Sequence, residues 1–202
     1  MKMYEDYIIK PRTAALIPKF DTLGNPITQV IEETKSFLVK MTPLEVIKHS
    51  IIYYGNDYAG AKKASKLILG GVDMAPVQIC GDLDMYWFPS HSPSKEHCIW
   101  FALTQIRDIM FQAKTETKVL LKFGHSITVV SSTKRFRKKI HLARELQTTL
   151  QNRKKEITYV SNKAPDGSFM IREYTPYTYH FIQSTREIKK INNTKRLYLI
   201  RG

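Results

Sequence analysis

Only two cysteines, Cys80 and Cys98, occur in 202 residues. That is too few for a disulfide framework, and in a reducing compartment they read as small buried hydrophobes. No stretch approaches the ~18 uncharged apolar residues of a membrane-spanning helix. The start, Met1-Lys2-Met3-Tyr4-Glu5-Asp6, carries acids where a signal peptide needs an apolar run. These absences lead to the expectation of a cytoplasmic location without membrane contact. The catalytic signatures are missing too: there is no Gly-x-x-x-x-Gly-Lys loop, no Gly-x-Ser-x-Gly elbow and no His-Glu-x-x-His. Cys80, His91, His97 and Cys98 have the atoms for zinc, but adjacent residues on a strand point to opposite faces, so His97 and Cys98 do not share an ion readily. Asp82 and Asp84 read as a turn pair and Asp57 as a helix cap. The expectation is a non-enzymatic chain with no cofactor and no metal.

Negative charge is also scarce, with 18 Asp+Glu against 32 Lys+Arg and a net charge of +14. The surplus is unevenly placed. Residues 1–132 hold 15 Lys+Arg and 13 Asp+Glu, a balance of +2; residues 133–202 hold 17 and 5, a balance of +12. Lysine excess alone can follow from genome composition, but eight of the ten arginines also fall after residue 132. Arginine is the planar, forked donor that suits phosphate and base edges, so its clustering points to a polyanionic partner.

The length fits one domain over 1–202, with a basic portion at 133–202. Hydrophobic content of 43% and 11% aromatics place it among globular proteins. Short apolar segments at Tyr7–Lys10, Ala14–Phe20, Ile27–Glu32 and Ser36–Val39 predict an antiparallel meander. Thr42-Pro43-Leu44-Glu45 is a capping box with Pro at the first helical position, and Leu44, Ile47, Ile51 and Tyr54 repeat at helical spacing up to Gly55. A second helix is expected over about 58–69, closed by Gly70-Gly71. Strands are expected at Pro76–Cys80, Met85–Phe88, Cys98–Leu103, Asp108–Ala113, Lys118–Phe123 and Ser126–Ser131. The fold class is therefore α+β with a largely antiparallel sheet and three to four helices. Trp87 and Trp100 read as core.

The third helix, about Thr133–Arg153, concentrates the charge, with nine Lys+Arg and one Glu between 133 and 155. Phe136, Ile140, Ala143, Leu146 and Leu150 form one stripe, while Lys134, Arg137, Lys138, His141 and Arg144 occupy the opposite arc. Lys134 and Arg135 sit in the first turn, where the helix dipole disfavours cations, so a partner is expected to supply negative charge. Beyond it, Glu156–Ser161 and Phe169–Tyr174 read as strands and Thr175–Ile191 as a helix, although Tyr177, Tyr179 and Phe181 also alternate like a strand. Lys195–Gly202 reads as an edge strand or a basic tail.

Two central blocks carry a family resemblance. They are Pro43-Leu44-Glu45-Val46-Ile47 with Tyr53-Tyr54-Gly55-Asn56-Asp57-Tyr58-Ala59-Gly60-Ala61-Lys62-Lys63, and Phe88-Pro89-Ser90-His91-Ser92 with Cys98-Ile99-Trp100. Across about 40–105 the chain resembles the ComK family of competence transcription factors of Gram-positive bacteria. The resemblance implies a transcriptional activator of DNA-uptake genes that binds paired A/T-rich boxes of double-stranded DNA as a multimer, mainly through the minor groove. It also implies RNA polymerase as a partner and a Clp-protease adaptor, for which Phe169-Met170-Ile171 is the nearest apolar stretch; a buried strand is the other reading of those residues. Where relatives have an Arg in the loop before the short helix, this chain has Ala61, and Lys62, Lys63 and Lys66 are the nearest cations. Amides at Gly55–Gly60 either accept a phosphate or merely shape a helix corner. Ser90, Ser92, Ser94 and Lys95 are further candidates for phosphate contact. The expected DNA-binding set is Lys62, Lys63, Lys66, Lys134, Arg135, Arg137, Lys138, Lys139 and Arg144. A nonspecific RNA- or ribosome-binding protein, or less favourably a metal-dependent nuclease, would carry the same charge.

Overall fold

In the computed structural model the described residues are 1–157 and the strand segments 169–172, 178–182, 189–190 and 198–201. The backbone divides into two compact units, 1–148 and 149–202. In the first, β1 (Met3–Tyr4), β2 (Thr13–Phe20), β3 (Pro26–Glu32) and β4 (Lys35–Val39) lead to helices α1 (Pro43–Tyr53) and α2 (Tyr58–Ile68). Strands β5 (Val77–Cys80), β6 (Met85–Pro89), β7 (Trp100–Ala102), β8 (Ile106–Ala113), β9 (Glu116–Leu121) and β10 (Ser126–Val129) follow, and then α3 (Thr133–Ile157). Seven strands form one sheet in the order β1-β4-β3-β2-β7-β6-β5, and three form a second, β10-β9-β8. All pairings in these two sheets are antiparallel except β1 with β4. The expected α+β class and largely antiparallel sheet are what the protein has, with three α-helices among the described residues.

The expected strand at Tyr7–Lys10 is not formed. Tyr7 and Ile9 are buried as their alternation requires, yet their backbone is held by side chains instead of a ladder. The Ile9 amide donates to Ser50 Oγ at 2.9 Å, the Tyr54 hydroxyl donates to the Ile9 carbonyl at 3.0 Å, and the Lys10 amide donates to Thr13 Oγ1 at 2.9 Å. The Tyr7 hydroxyl meets Thr13 and Glu32. Period-two burial reports which residues face the core, and it is silent about the hydrogen-bond partner.

Alternation does set the two faces of the large sheet. Trp87 and Trp100, each 1% exposed, belong to one core with Leu16, Val30, Val46, Ile47, Ile51, Val77 and Ile79, beneath α1. Their neighbours Phe88 and Phe101 point the other way, where Phe136 of α3 meets both rings edge-on at 5.7 and 5.4 Å. The sheet is thus covered on both faces. α1 begins as its sequence predicts: Thr42 Oγ1 accepts from the Glu45 amide, and the Glu45 carboxylate accepts from the Thr42 amide at 2.7 Å.

α3 runs past its expected end, taking in Glu156 and Ile157, which the sequence assigns to a strand. Once nucleated, a helix extends at little cost through Lys154 and Lys155, whose charge suits its C-terminal dipole. In the second unit β11 (Phe169–Arg172), β12 (Thr178–Ile182), β13 (Lys189–Lys190) and β14 (Tyr198–Arg201) form a sheet ordered β11-β12-β14-β13. The expected helix over 175–191 is overturned there by β12 and β13. Of the expected Tyr177, Tyr179 and Phe181 alternation, Tyr179 and Phe181 fall in β12, since β-branched and aromatic residues favour a pleated surface; Tyr177 lies outside the described residues. Residues 198–201 lie between two strands, not at the edge expected. The remainder of the expected 156–161 strand lies outside the described residues.

Among the described residues the Trp100 Nε1 has no hydrogen-bond partner, so the indole contributes by packing. Trp100→Ala is expected to cost about 3 to 5 kcal/mol, read as a lowered urea midpoint at unchanged slope; an unchanged midpoint would mean that the indole is not part of the core.

Candidate nucleic-acid interface

Helix α3 presents cations because its opposite face is committed to the sheet. Phe136, Ala143 and Leu146 are fully buried, whereas Lys134, Arg135, Arg137, Lys138, His141 and Arg144 are exposed. Gln147 anchors the same helix further along, donating from Nε2 to both Asp84 carboxylate oxygens at 2.8 and 2.9 Å. Lys134, Arg137, His141 and Arg144 follow one another at spacings of three and four, which makes a single outward stripe. Arg135, Lys138 and Lys139 lie along a second edge. There they line a groove of about 480 Å³ opposite Gly71, Val72, Asp73, Met74 and Pro76.

The cations of α2 meet this second edge. Lys62, Lys63 and Lys66 surround a shallow depression that ends at Gly70 and Gly71, so Gly71 borders both groups of cations. The turn is tight: Gly70, Gly71 and Met74 all have left-handed φ angles of 71°, 83° and 53°. Lys62 and Lys63 are exposed, and Lys66 Nζ lies 3.8 Å from Asp73. Of the expected set, the structure thus places Lys62, Lys63 and Lys66 and, some seventy positions later, Arg135, Lys138 and Lys139 on either side of one turn. The remaining expected residues, Lys134, Arg137 and Arg144, lie on the outward stripe of the same helix.

Pairing separates these cations from those earlier in the chain. Arg12 pairs with Glu33, Lys10 with Glu32 and Lys40 with Glu5. Among the described residues, no α3 cation between 134 and 144 has a carboxylate within ion-pair distance. Their field is uncompensated within the described part of the molecule.

Lys139 differs from its neighbours. It is half-buried, its Nζ lies 3.8 Å from Met74 Sδ, and burial pushes its pKa down, opposed by the neighbouring Cys98. It belongs to the groove and not to the outward stripe.

Ser90 is also not the phosphate ligand that its sequence position suggested. It is 2% exposed and fully engaged inside the protein. Ser90 Oγ accepts from the Ile99 amide at 2.9 Å and lies 3.1 Å from His91 Nδ1, while His91 Nε2 is 2.9 Å from the Val130 carbonyl. A carbonyl only accepts, so Nε2 carries the proton and Nδ1 accepts from the Ser90 hydroxyl. The Cys98 thiol donates to the His91 carbonyl at 3.3 Å. The Phe88–His91 and Cys98–Trp100 blocks thus form one network that ties β6 and β7 to the segment leading into α3. Thr117 of β9 reinforces it, donating to the Ser131 carbonyl at 2.7 Å. Ser92 and Ser94 bond each other at 2.9 Å. Ser94 and Lys95 line a separate depression with Phe20, Pro26 and Leu44, away from the α3 groove.

The Gly55–Gly60 loop resolves as a helix corner. Gly55 has φ of 82° and its amide donates to the Ile52 carbonyl, closing α1. The start of α2 is already capped by Asp57, whose carboxylate accepts from the Gly60 amide at 2.8 Å, and that negative charge disfavours a phosphate there. Among the described residues no three His, Cys, Asp or Glu side chains converge as a metal-ligand set, and no helix is long and apolar enough to cross a membrane.

The family model described as ComK protein matches residues 4–155. The chain belongs to the ComK family. It is also similar to the competence transcription factor of Bacillus subtilis (strain 168), at 23% identity over 182 residues, covering 88% of this chain and 91% of that protein. No solved structure matches it. The match spans α1 and α2, the Phe88–Trp100 network and nearly all of α3, so the basic surface lies inside the family's shared region. Sequence reasoning missed the Gly71–Pro76 wall of the groove; the Gly70-Gly71 pair followed by Pro76 marks a fixed turn, but nothing in it says which helix it faces.

Burial holds the His91 pKa below its ordinary value, helped by His97 and Lys139 and opposed by the Val130 hydrogen bond. The neutral ring is the one that fits the folded state, so its stabilising effect is complete above the unfolded value of about 6.5 and is lost as pH falls through the lower folded value. His91→Gln is expected to flatten the decline in melting temperature below pH 6.5, and an unaltered decline would free His91 of that role. Ser90→Ala should cost about 1 to 3 kcal/mol by orphaning the Ile99 amide and His91 Nδ1, measured by urea unfolding.

Proposed function

We propose that this ComK-family competence transcription regulator is an activator that binds paired A/T-rich boxes of double-stranded DNA, mainly in the minor groove, as a dimer or higher multimer. One observation carries the reading: Lys62, Lys63 and Lys66 of α2 and Arg135, Lys138 and Lys139 of α3 border the same Gly71 turn, and the α3 cations between 134 and 144 have no carboxylate partner among the described residues. A transcription factor is not an enzyme class, and its work is binding. The relative's printed name, competence transcription factor, supports DNA as the polyanion in preference to RNA. All of 1–202 acts as one DNA-binding domain, with 133–202 as its basic portion.

Lys62, Lys63, Lys134, Lys138 and their neighbours neutralise phosphates, and Arg135, Arg137 or Arg144 enters a narrow A-tract groove, where negative potential is concentrated. Between 134 and 144 the exposed cationic arc has no Asn or Gln to read adenine in the major groove. Two subunits are required because one small basic face buries too little to discriminate a promoter among a genome of competing sites. RNA polymerase is the partner that activation demands.

Neutralising Arg137, Lys138 and Arg144 together opens no cavity, since all three are exposed. The triple variant should keep its melting temperature and bind every duplex more weakly. Its log-log salt slope should drop by roughly 0.9 for each phosphate that is no longer neutralised, and an unchanged slope would remove α3 from the interface. Inserting about five base pairs, half a helical turn, between two footprinted half-sites should sharply weaken binding. Distamycin should compete, whereas bulky major-groove thymine modifications should matter little; the opposite pattern would require a major-groove reader.

A further inference from the structure

We propose that the groove between α3 and the Gly71–Pro76 loop is a binding site for a small carboxylate with an apolar tail, of the size and chemistry of a medium-chain fatty acid, and that its occupation competes with DNA. The groove's volume of about 480 Å³ falls within the usual range for small-molecule sites. Its two sides differ in chemistry. Val72, Met74, Pro76, Phe88 and Leu142 supply an apolar bed, and Arg135, Lys138 and Lys139 supply three cations. Among the described residues that line the groove, the one carboxylate, Asp73, has Lys66 at 3.8 Å.

Lys139 decides the ligand's sign. Half-burying an ammonium without a counter-ion is costly, and among the described residues Lys139 has no carboxylate in ion-pair range, only the Met74 thioether at 3.8 Å and, nearby, the Cys98 thiol, whose pKa burial raises so that it stays neutral. A methionine or leucine would fill the same space without that penalty. An anion seated in the groove supplies the missing charge, and burial strengthens the pairing by lowering the local dielectric. A DNA phosphate brings charge but no apolar body to cover Val72, Pro76 and Leu142. A neutral hydrocarbon covers them but leaves Lys139 unpaired. A carboxylate on an alkyl chain meets both requirements.

Competition with DNA follows from shared residues and rests on the DNA reading above. Arg135 and Lys138 line the groove and belong to the basic surface, so a bound carboxylate reduces the field available to phosphates. The binding site itself does not depend on that reading.

Decanoate, below its micelle concentration, is the probe, titrated into the full chain without DNA while the methyl resonances of Met74 and Leu142 are followed by NMR. Saturable one-to-one binding with shifts at those methyls is expected, and 1-decanol should bind at least about tenfold more weakly, as loss of a charge-assisted hydrogen bond implies. Lys139→Met should lower decanoate affinity at least about tenfold while retaining the melting temperature, and Leu142→Trp, which fills the groove, should abolish binding. Equal affinity for decanol and decanoate, wild-type decanoate binding by Lys139→Met, or shifts located elsewhere would each overturn the site. If Lys139→Met does not fold, the decanol comparison and Leu142→Trp decide alone. In the second arm decanoate should release a fluorescent A/T-rich duplex from the wild type but not from Leu142→Trp. Simultaneous, independent binding of both would overturn the competition. Failure of the duplex to bind in the absence of decanoate would instead count against the DNA reading and leave the decanoate titration intact.

Discussion

The seating of Phe136 between Phe88 and Phe101 is the contact on which the basic surface depends. α3 carries nine Lys+Arg and one Glu between 133 and 155, a composition that would repel itself in an isolated helix. Burying Phe136, Ala143 and Leu146 against the outer face of β6 and β7 offsets that repulsion and fixes which arc faces water. Phe88 and Phe101 also stack on one another at 6.0 Å, so the receiving site is built by a cross-strand pair. The same two strands turn Trp87 and Trp100 towards α1, and one short stretch of sheet thereby organises both layers.

Around this seat the Phe88–Trp100 segment serves as a brace. Ser90, His91 and Cys98 connect the end of β6 and the approach to β7 with the Val130 carbonyl, two residues before Ser132 at the start of α3. Their chemistry is used for orientation, and Lys134, Arg135, Arg137, Lys138 and Arg144 face solvent from α3 as long cations. In the DNA reading proposed above, precision in the brace and freedom in the exposed cations suit a charged, regular surface, where register depends on the scaffold and affinity on the number of cations.

The polar network and the groove are neighbours through Lys139, which influences both Cys98 and His91 electrostatically. A change in the charge state of the groove is therefore felt within the brace that positions α3. The Gly70–Met74 turn, with three left-handed residues, leads into the wall that faces α3 across the groove.

Much of the framework was legible in the sequence. The Thr42–Glu45 capping box, the Gly55 and Gly70 helix stops, the hydrophobic stripe of α3 and the alternation in β2, β3 and β5 through β10 each depend on interactions among near neighbours, so local pattern suffices. The amphipathic logic likewise fixed which α3 cations are exposed. Pattern failed where a long-range partner replaced the local one. Tyr7–Lys10 is held by Thr13, Ser50 and Tyr54 and is not a strand; Ser90 is consumed by Ile99 and His91; Lys139 is drawn into a groove by a loop more than sixty residues earlier. The amino-acid order determined the charge, the elements and the apolar face of each helix, because these are sums over residues close in the chain. Which cations stand together, which polar groups are already satisfied and where a cavity opens were decided only by the tertiary packing, because burial and pairing depend on neighbours that the chain brings together from afar.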